Sequence, residues 1–133
     1  MVTFKYHPEP SPLGIILRPI ADIILEANGL KVEASMYIDS GADITMIPIH
    51  LGKALGFKQN PSDEILEIRG VSGGGVPYII KKMKITIGER TFDIRLAWAL
   101  IEEVPLLLGR MDIFNKFAVT FDETKKSIIF ADH

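Results

Sequence analysis

Tyr37-Ile38-Asp39-Ser40-Gly41-Ala42-Asp43-Ile44-Thr45 is the stretch on which the reading of this chain turns. An apolar, strand-like run, Lys31 to Ile38, delivers an aspartate into a loop that continues through serine and glycine. A carboxylate placed there is held by a rigid element rather than by a loop tip. Gly41 lets the backbone approach closely, so its N–H is able to reach the carboxylate. The same residue types are common in ordinary turns. At average residue usage an Asp-[Ser/Thr]-Gly tripeptide arises by chance in roughly one chain of this length in twenty. The tripeptide alone therefore does not separate a catalytic carboxylate from a turn.

The elements on either side are short and strand-like. Gly14 to Leu25 is apolar and interrupted by Arg18-Pro19, where the strand restarts. Ala27-Asn28-Gly29-Leu30 holds an Asn-Gly pair between two strand-like runs, the strongest short hairpin signal. Ile47, Leu51 and Leu55 recur at helical spacing, which predicts a short helix over Pro48 to Leu55 stopped by Gly56. Glu64 to Gly70, a glycine-rich tip at Val71 to Val76, and Tyr78 to Ile80 predict a second hairpin. Met83, Ile85 and Ile87 share one strand face, and Gly88-Glu89-Arg90 turns the chain into Thr91 to Trp98. Pro105 to Gly109 reads as a buried strand ending in glycine, and Arg110 to Lys116 as a short helix. Phe117 to Phe121 and Ser127 to Phe130 form a last hairpin. Many short strands at this spacing predict an all-β barrel or sandwich.

The 133 residues fit one domain, and 47% hydrophobic residues are enough for a core. Residues 1–13, rich in proline, are expected as a flexible N-terminal arm, and 14–133 as the folded domain. A formal charge of −2 argues against a nucleic-acid partner. No apolar run is long enough to span a bilayer, and no secretory leader is visible, so a soluble, cytoplasmic protein is expected. Cysteine is absent, which excludes disulfides and thiolate metal sites. His7, His50 and His133 have no ligand spacing, so neither a metal nor a cofactor is expected.

Four segments, in order, carry a resemblance. They are Arg18-Pro19-Ile20; Ile38-Asp39-Ser40-Gly41-Ala42-Asp43; Arg69-Gly70-Val71-Ser72-Gly73-Gly74-Gly75-Val76; and Leu107-Leu108-Gly109-Arg110. Over about Ile16 to Phe130 the chain resembles the retropepsins, the single-domain aspartic proteases of retroviruses and their cellular and microbial relatives. The second and fourth segments match the family's hydrophobic-Asp-[Thr/Ser]-Gly-Ala-Asp and hydrophobic-hydrophobic-Gly-Arg motifs.

The resemblance implies a closed β-barrel-like acid-protease fold with one or two short helices, acting as a homodimer on a peptide or protein substrate. Asp39 would be the catalytic aspartate, Ser40 would brace the two active-site loops across the dimer, and Gly41 would steady Asp39 and touch substrate main chain. Ala42 would line the cleft. Asp43 would accept a hydrogen bond from the substrate backbone and pair with Arg110, which follows Gly109. Arg18 would reach Asp43 of the other copy. Val71, Ser72, Gly73, Gly74 and Gly75 would form a mobile flap over the substrate.

The family tolerates Ser40 in place of the commoner threonine. Ile44 stands where viral members often carry a second acid. The long C-terminal hairpin puts the viral terminal-strand interface in doubt.

A chain with one Asp-Ser-Gly has one such carboxylate, while metal-free hydrolysis needs both a base for water and an acid for the carbonyl oxygen. Two carboxyls sharing one proton supply both, so a two-fold pairing of Asp39 loops is implied. Other features read more simply as structure. Asp22, Asp93 and Asp112 are expected as surface or capping residues, and Phe92, Leu96 and Trp98 as core or interface. The competing functional reading is a dimeric peptide-binding or assembly module with this fold and weak or no turnover.

Overall fold

Asn28 and Gly29 both take positive φ, 53° and 74°, as a two-residue hairpin turn requires. They join β4 (Ile20–Ala27) to β5 (Leu30–Ile38), in register from Ala27 opposite Leu30 to Ile20 opposite Tyr37. Alternate residues enter the core: Ala21, Ile23 and Leu25 from β4, and Ala34, Met36 and Ile38 from β5. The computed structural model describes residues 1–69 and 74–133. Strands take up 58% of these residues, with one small helix among them.

Six strands close a barrel. Its order is β4, β5, β10 (Leu107–Leu108), β6 (Thr45–Ile47), β9 (Arg90–Ala99) and β8 (Gly75–Ile87), and β8 returns to β4. The thirteen residues of β8 let it serve two neighbours beside β9. Its early part pairs with β7 (Leu66–Arg69), from Arg69 opposite Gly75 to Leu66 opposite Tyr78. Its late part pairs with β4 through Lys84, Ile85 and Thr86. Inside lie Ile23, Leu25, Met36, Ile38, Ile47, Ile85, Ile87, Ile94, Leu96 and Trp98, all essentially inaccessible to solvent. Met83, Ile85 and Ile87 face inward as their alternation predicts.

A three-stranded sheet packs on this core, ordered β1 (Val2–Lys5), β12 (Ser127–Asp132) and β11 (Phe117–Asp122). Its Phe130 meets Phe4 and Phe117 edge to face, with centroids 5.8 and 5.5 Å apart, an arrangement that suits the ring quadrupoles. The stretch expected as a loose arm is placed in strands. β1 pairs with β12 from Val2 opposite Phe130 to Lys5 opposite Ser127. β2 (His7–Ser11) pairs with β3 (Gly14–Arg18) as a separate ribbon. Its prolines, Pro8 and Pro10, lie two apart and so present the same strand edge, where a missing N–H breaks no ladder bond.

The expected helix over Pro48–Leu55 is α1 (Ile49–Ala54), with Gly56 at φ 78° just past its end. The second expected helix, Arg110 to Lys116, is a series of turns. Asp112 sits at φ 66°, a left-handed conformation that a right-handed helix cannot contain. No helix among the described residues is long and apolar enough to cross a membrane.

α1 lies on the barrel through Gly52, where a β-carbon would overlap the Trp98 indole. The Trp98 Nε1–H donates to the Ile49 carbonyl at 3.1 Å, so the ring is fixed at one edge and covered on its face. Gly52→Ala therefore forces helix and indole apart. It should cost about 1–3 kcal/mol, the usual range for overpacking a core, read as a lower denaturant midpoint with an unchanged slope.

Candidate active site

Asp39 follows the last residue of β5, and its backbone is held from two sides. β10 runs parallel to β5, with Leu107 beside Tyr37 and Leu108 beside Ile38. The Asp39 N–H donates to the Leu108 carbonyl at 3.0 Å, and the Ile38 N–H to the Pro19 carbonyl at 2.9 Å. The chain then turns, with the Ala42 N–H on the Asp39 carbonyl at 3.2 Å. The Gly41 N–H donates to Asp39 Oδ1 at 2.9 Å. A β-carbon on Gly41 would stand 3.2 Å from that same oxygen, which is why glycine suits the position. Asp39 is half-buried, and Ser40 and Gly41 are exposed.

A second loop docks on the first. The Arg110 N–H donates to the Ala42 carbonyl at 3.0 Å and the Met111 N–H to the Asp43 carbonyl at 2.9 Å. The Gly109 N–H donates to Thr45 Oγ1 at 3.1 Å, in a fully buried setting. A β-carbon on Gly109 would lie 2.5 Å from the Ile44 carbonyl carbon, so only glycine permits this approach. Arg110 Nη2 meets Asp43 Oδ1 at 2.8 Å, joining two residues that the resemblance would pair. Their side chains are 55% and 84% exposed, so the ion pair contributes at most about 1 kcal/mol. The loops are held by backbone bonds and by Thr45, and the Asp43 carboxylate stays open to solvent.

Beside these loops lies a groove of about 590 Å³. Gly41, Ala42, Asp43 and Ile44 form one wall, and Met46, Ile68, Tyr78 and Ile80 supply apolar surface. Met46 packs with Ala97 and Ala99 under Ile68, Val76 and Tyr78 of the β7–β8 hairpin, a small core of its own. The glycine-rich stretch of the sequence falls between Arg69 of β7 and Val76 of β8. Val71, Ser72 and Gly73 lie outside the described residues. Gly74 is exposed, and Gly75 opens β8 opposite Arg69.

Arg18 does not meet Asp43 within the chain. Its Nε bonds Glu9 Oε2 at 2.8 Å. Trp98 is buried against α1 and does not line the groove. A larger groove, about 720 Å³, has Lys58, Lys82 and Lys84 with Glu26 and Asp93 on its walls. No residue of the Asp39 loop lines it, so the smaller groove is the candidate site. Among the described residues no group of three or more His, Asp or Glu is placed to hold a metal.

Two contributors escape sequence reasoning. Thr45 is one; only its place after an aspartate-bearing loop hinted at a role. The other is Asp112, which accepts from Arg95 in a fork, Nε to Oδ2 at 2.9 Å and Nη2 to Oδ1 at 2.8 Å, and from the Arg95 N–H at 2.9 Å. Arg95 and Met111 close the far side of the groove. The Arg95 side-chain bonds, with a smaller contribution from its backbone, hold the Asp112 carboxyl down at about 2 against the opposing effect of burial.

No protein-family model matches the chain, and no curated protein matches it in sequence. Solved structures do match. The EIAV protease complexed with the inhibitor HBY-793 aligns at a TM-score of 0.57 and 22% identity, over 74% of this chain and 86% of that one. A retropepsin-like aspartic protease from Rickettsia conorii aligns at 0.64 and 17% identity, over 96% and 98%. At these identities the likeness establishes a shared fold, that of the retropepsin-like aspartic proteases.

Two expectations follow from the loop geometry. Thr45→Val keeps shape but strands the buried Gly109 N–H, and should cost about 1–3 kcal/mol. Asp43→Ala removes an exposed pair and should cost about 1 kcal/mol or less. Equal losses in denaturant melts at pH 7 would contradict this ranking.

Asp112 gives a pH signature. Its folded value of about 2 lies below the ordinary 3.8, so its stabilisation is complete above 3.8 and is lost as pH falls through about 2. Asp112→Asn should therefore be less stable than the parent at pH 7, with the gap closing over that acid window.

Proposed function

We propose that the chain is an aspartic endopeptidase whose catalytic centre is completed by a second copy. The observation that carries this is the Asp39 carboxylate. It is fixed by the Gly41 N–H at 2.9 Å at the end of a barrel strand, beside a groove with apolar walls and an exposed carboxylate, Asp43.

One carboxylate cannot accept a proton from water and donate one to the carbonyl oxygen in the same step. Two Asp39 carboxyls across a two-fold axis hold one proton between them, because two like charges a few ångströms apart are costly. The ionised member takes a proton from a water lying between them, and the resulting hydroxide attacks the scissile carbonyl carbon. The protonated member donates to the carbonyl oxygen. Collapse of the tetrahedral intermediate breaks the C–N bond as the carboxyl that took water's proton passes it to the leaving nitrogen, while a hydroxyl proton of the intermediate returns to the other carboxylate and restores the shared-proton pair. Ser40, exposed at the loop tip, braces its counterpart, and Gly41 presents main chain to the substrate.

The substrate lies extended along Ala42 and Asp43, clamped by main-chain hydrogen bonds as an added strand. Arg110 keeps Asp43 oriented, and Gly109 brings Arg110 within reach. The β7–β8 hairpin, with Val71, Ser72, Gly73, Gly74 and Gly75, covers the substrate and excludes water. Arg18 braces the partner's loop or stays with Glu9. Ile44, Met46, Ile68 and Ile80 favour apolar side chains. The chemistry uses no thiol or metal, which suits a cysteine-free chain working in the cytoplasm.

The test is cleavage of a denatured, apolar-rich protein across pH by the parent and by Asp39→Asn, at concentrations where both are dimers. The variant should lose at least about 10³-fold in kcat, within the range attributed to positioned acid–base groups. The parent's rate should fall on both sides of an optimum. Peptide retained without turnover by either protein would assign the site to binding alone.

A further inference from the structure

Where the groove beside Asp39 runs out, the barrel sets two cations side by side. Arg95 on β9 stands opposite Lys82 on β8. Residues opposite one another in an antiparallel pair share a face, with β-carbons about 4.5–5.5 Å apart. Both residues are exposed, and Arg95 lines the groove with Ile44, Ile80 and Met111. Like charges directly opposed destabilise a sheet, so the fold gains nothing from a cation at position 82.

The surrounding carboxylates account for the other cations. Asp112 takes Nε and Nη2 of Arg95 in its fork. Asp93 takes Lys84 at 3.2 Å, with Glu26 opposite Lys84 on its other side, from β4. Asp63 takes Lys81 at 3.1 Å, and Asp43 takes Arg110. Lys82 is left over: among the described residues it enters no ion pair and no side-chain hydrogen bond, and Arg95 Nη1 has no partner either. The fork also immobilises the guanidinium, whose backbone N–H rests on the same Asp112 at 2.9 Å. A planar donor is thereby preset at the groove's end. Ile44, on the wall that carries Asp43, brings no further acid to compete for it.

We propose that Arg95 and Lys82 form a subsite for an acidic side chain of the substrate, an aspartate or glutamate that borders the apolar residues filling the groove. This deepens the endopeptidase reading and rests on it. The substrate carboxylate accepts from Arg95 Nη1, and the Lys82 ammonium neutralises it. Along an extended peptide alternate side chains share one face. Apolar ones meet Met46, Ile68 and Ile80, and the acid lies beyond them. A lysine in that place meets two like charges, so the subsite rejects as well as attracts.

The test uses three peptides that share one cleaved apolar sequence and differ at a single flanking position, Glu, Gln or Lys, scanned outward from the scissile bond. At one position the parent should prefer Glu over Lys by about 10-fold in kcat/KM, and the preference should shrink in high salt. Lys82→Glu should bring that ratio to one or below. Lys125→Glu makes the same charge change in the exposed β11–β12 turn and should keep the parent's ratio. Equal cleavage of all three peptides at every position, or a ratio that Lys82→Glu leaves in place, overturns the subsite and leaves the endopeptidase reading standing. A ratio that moves equally in both variants belongs to overall charge and overturns the subsite too.

Lys82→Glu turns a like-charge cross-strand pair into an opposite one, so it should melt no lower than the parent. Should it fail to fold, Lys82→Gln carries the same comparison. If no peptide is cleaved, the endopeptidase reading fails, and fluorescence anisotropy of the labelled peptides decides the subsite alone. Tighter binding of the Glu peptide than of the Lys peptide, lost in the variant, supports it. Equal binding, or none, overturns it.

Discussion

The close approach of Gly109 to Ile44 is the constraint on which the rest of this structure depends. β10 has two residues, yet it is the member of the barrel that lies between β5 and β6. It runs parallel to β5 and antiparallel to β6. A strand this short contributes few ladder bonds of its own. What fixes it is the step immediately after, where Gly109 passes so near the Ile44 backbone that a β-carbon has no room. There its N–H finds the buried Thr45 hydroxyl. A buried N–H left without that partner would lose its hydrogen bonding outright. One contact thus closes the barrel and sets the position of Asp39, whose N–H rests on the Leu108 carbonyl.

Much of this was legible in the sequence, because the features concerned are local. Asn28-Gly29 announces its own turn, since few other residue pairs take two positive φ values cheaply. The Met83-Ile85-Ile87 alternation announces which face is inside. The pairing of Asp43 with Arg110 was expected from a resemblance, and the structure brings the two within 2.8 Å.

The misreadings have a common cause in backbone edges and long-range partners. Pro8 and Pro10 suggest a loose arm only if each N–H is assumed to be needed; spaced two apart at a strand edge, neither is. Arg110 to Lys116 has helix-compatible composition. Asp112 is drawn out of helical geometry as its carboxylate binds Arg95, seventeen residues back in sequence. Thr45 carries no local signal of its role, because its partner, Gly109, is 64 positions away. Of the groove walls, Gly41, Ala42 and Asp43 were named from the resemblance and the rest were not, because the walls come from five separated segments that only the barrel brings together.

The distribution of charge separates what stabilises the chain from what remains available to a ligand. Buried polar groups are few: Thr45 and Ser127 among the described residues, with no buried side-chain nitrogen or oxygen left unpartnered. Most ion pairs sit at the surface, where hydration leaves each worth little. The Arg95–Asp112 fork differs. Its two parallel bonds and the half-sheltered acid make it, among the described residues, the pair whose effect on proton binding is large. Near Asp39 the arrangement is inverted: the loop is fixed by backbone groups, which carry no net charge. Among the described residues Asp39 is in no ion pair, and Asp43 keeps its exposed pair with Arg110. A site built this way keeps its geometry whatever happens to its charges. The aspartic-endopeptidase reading proposed above asks for that property, since there the Asp39 carboxyl gives up and regains a proton during turnover.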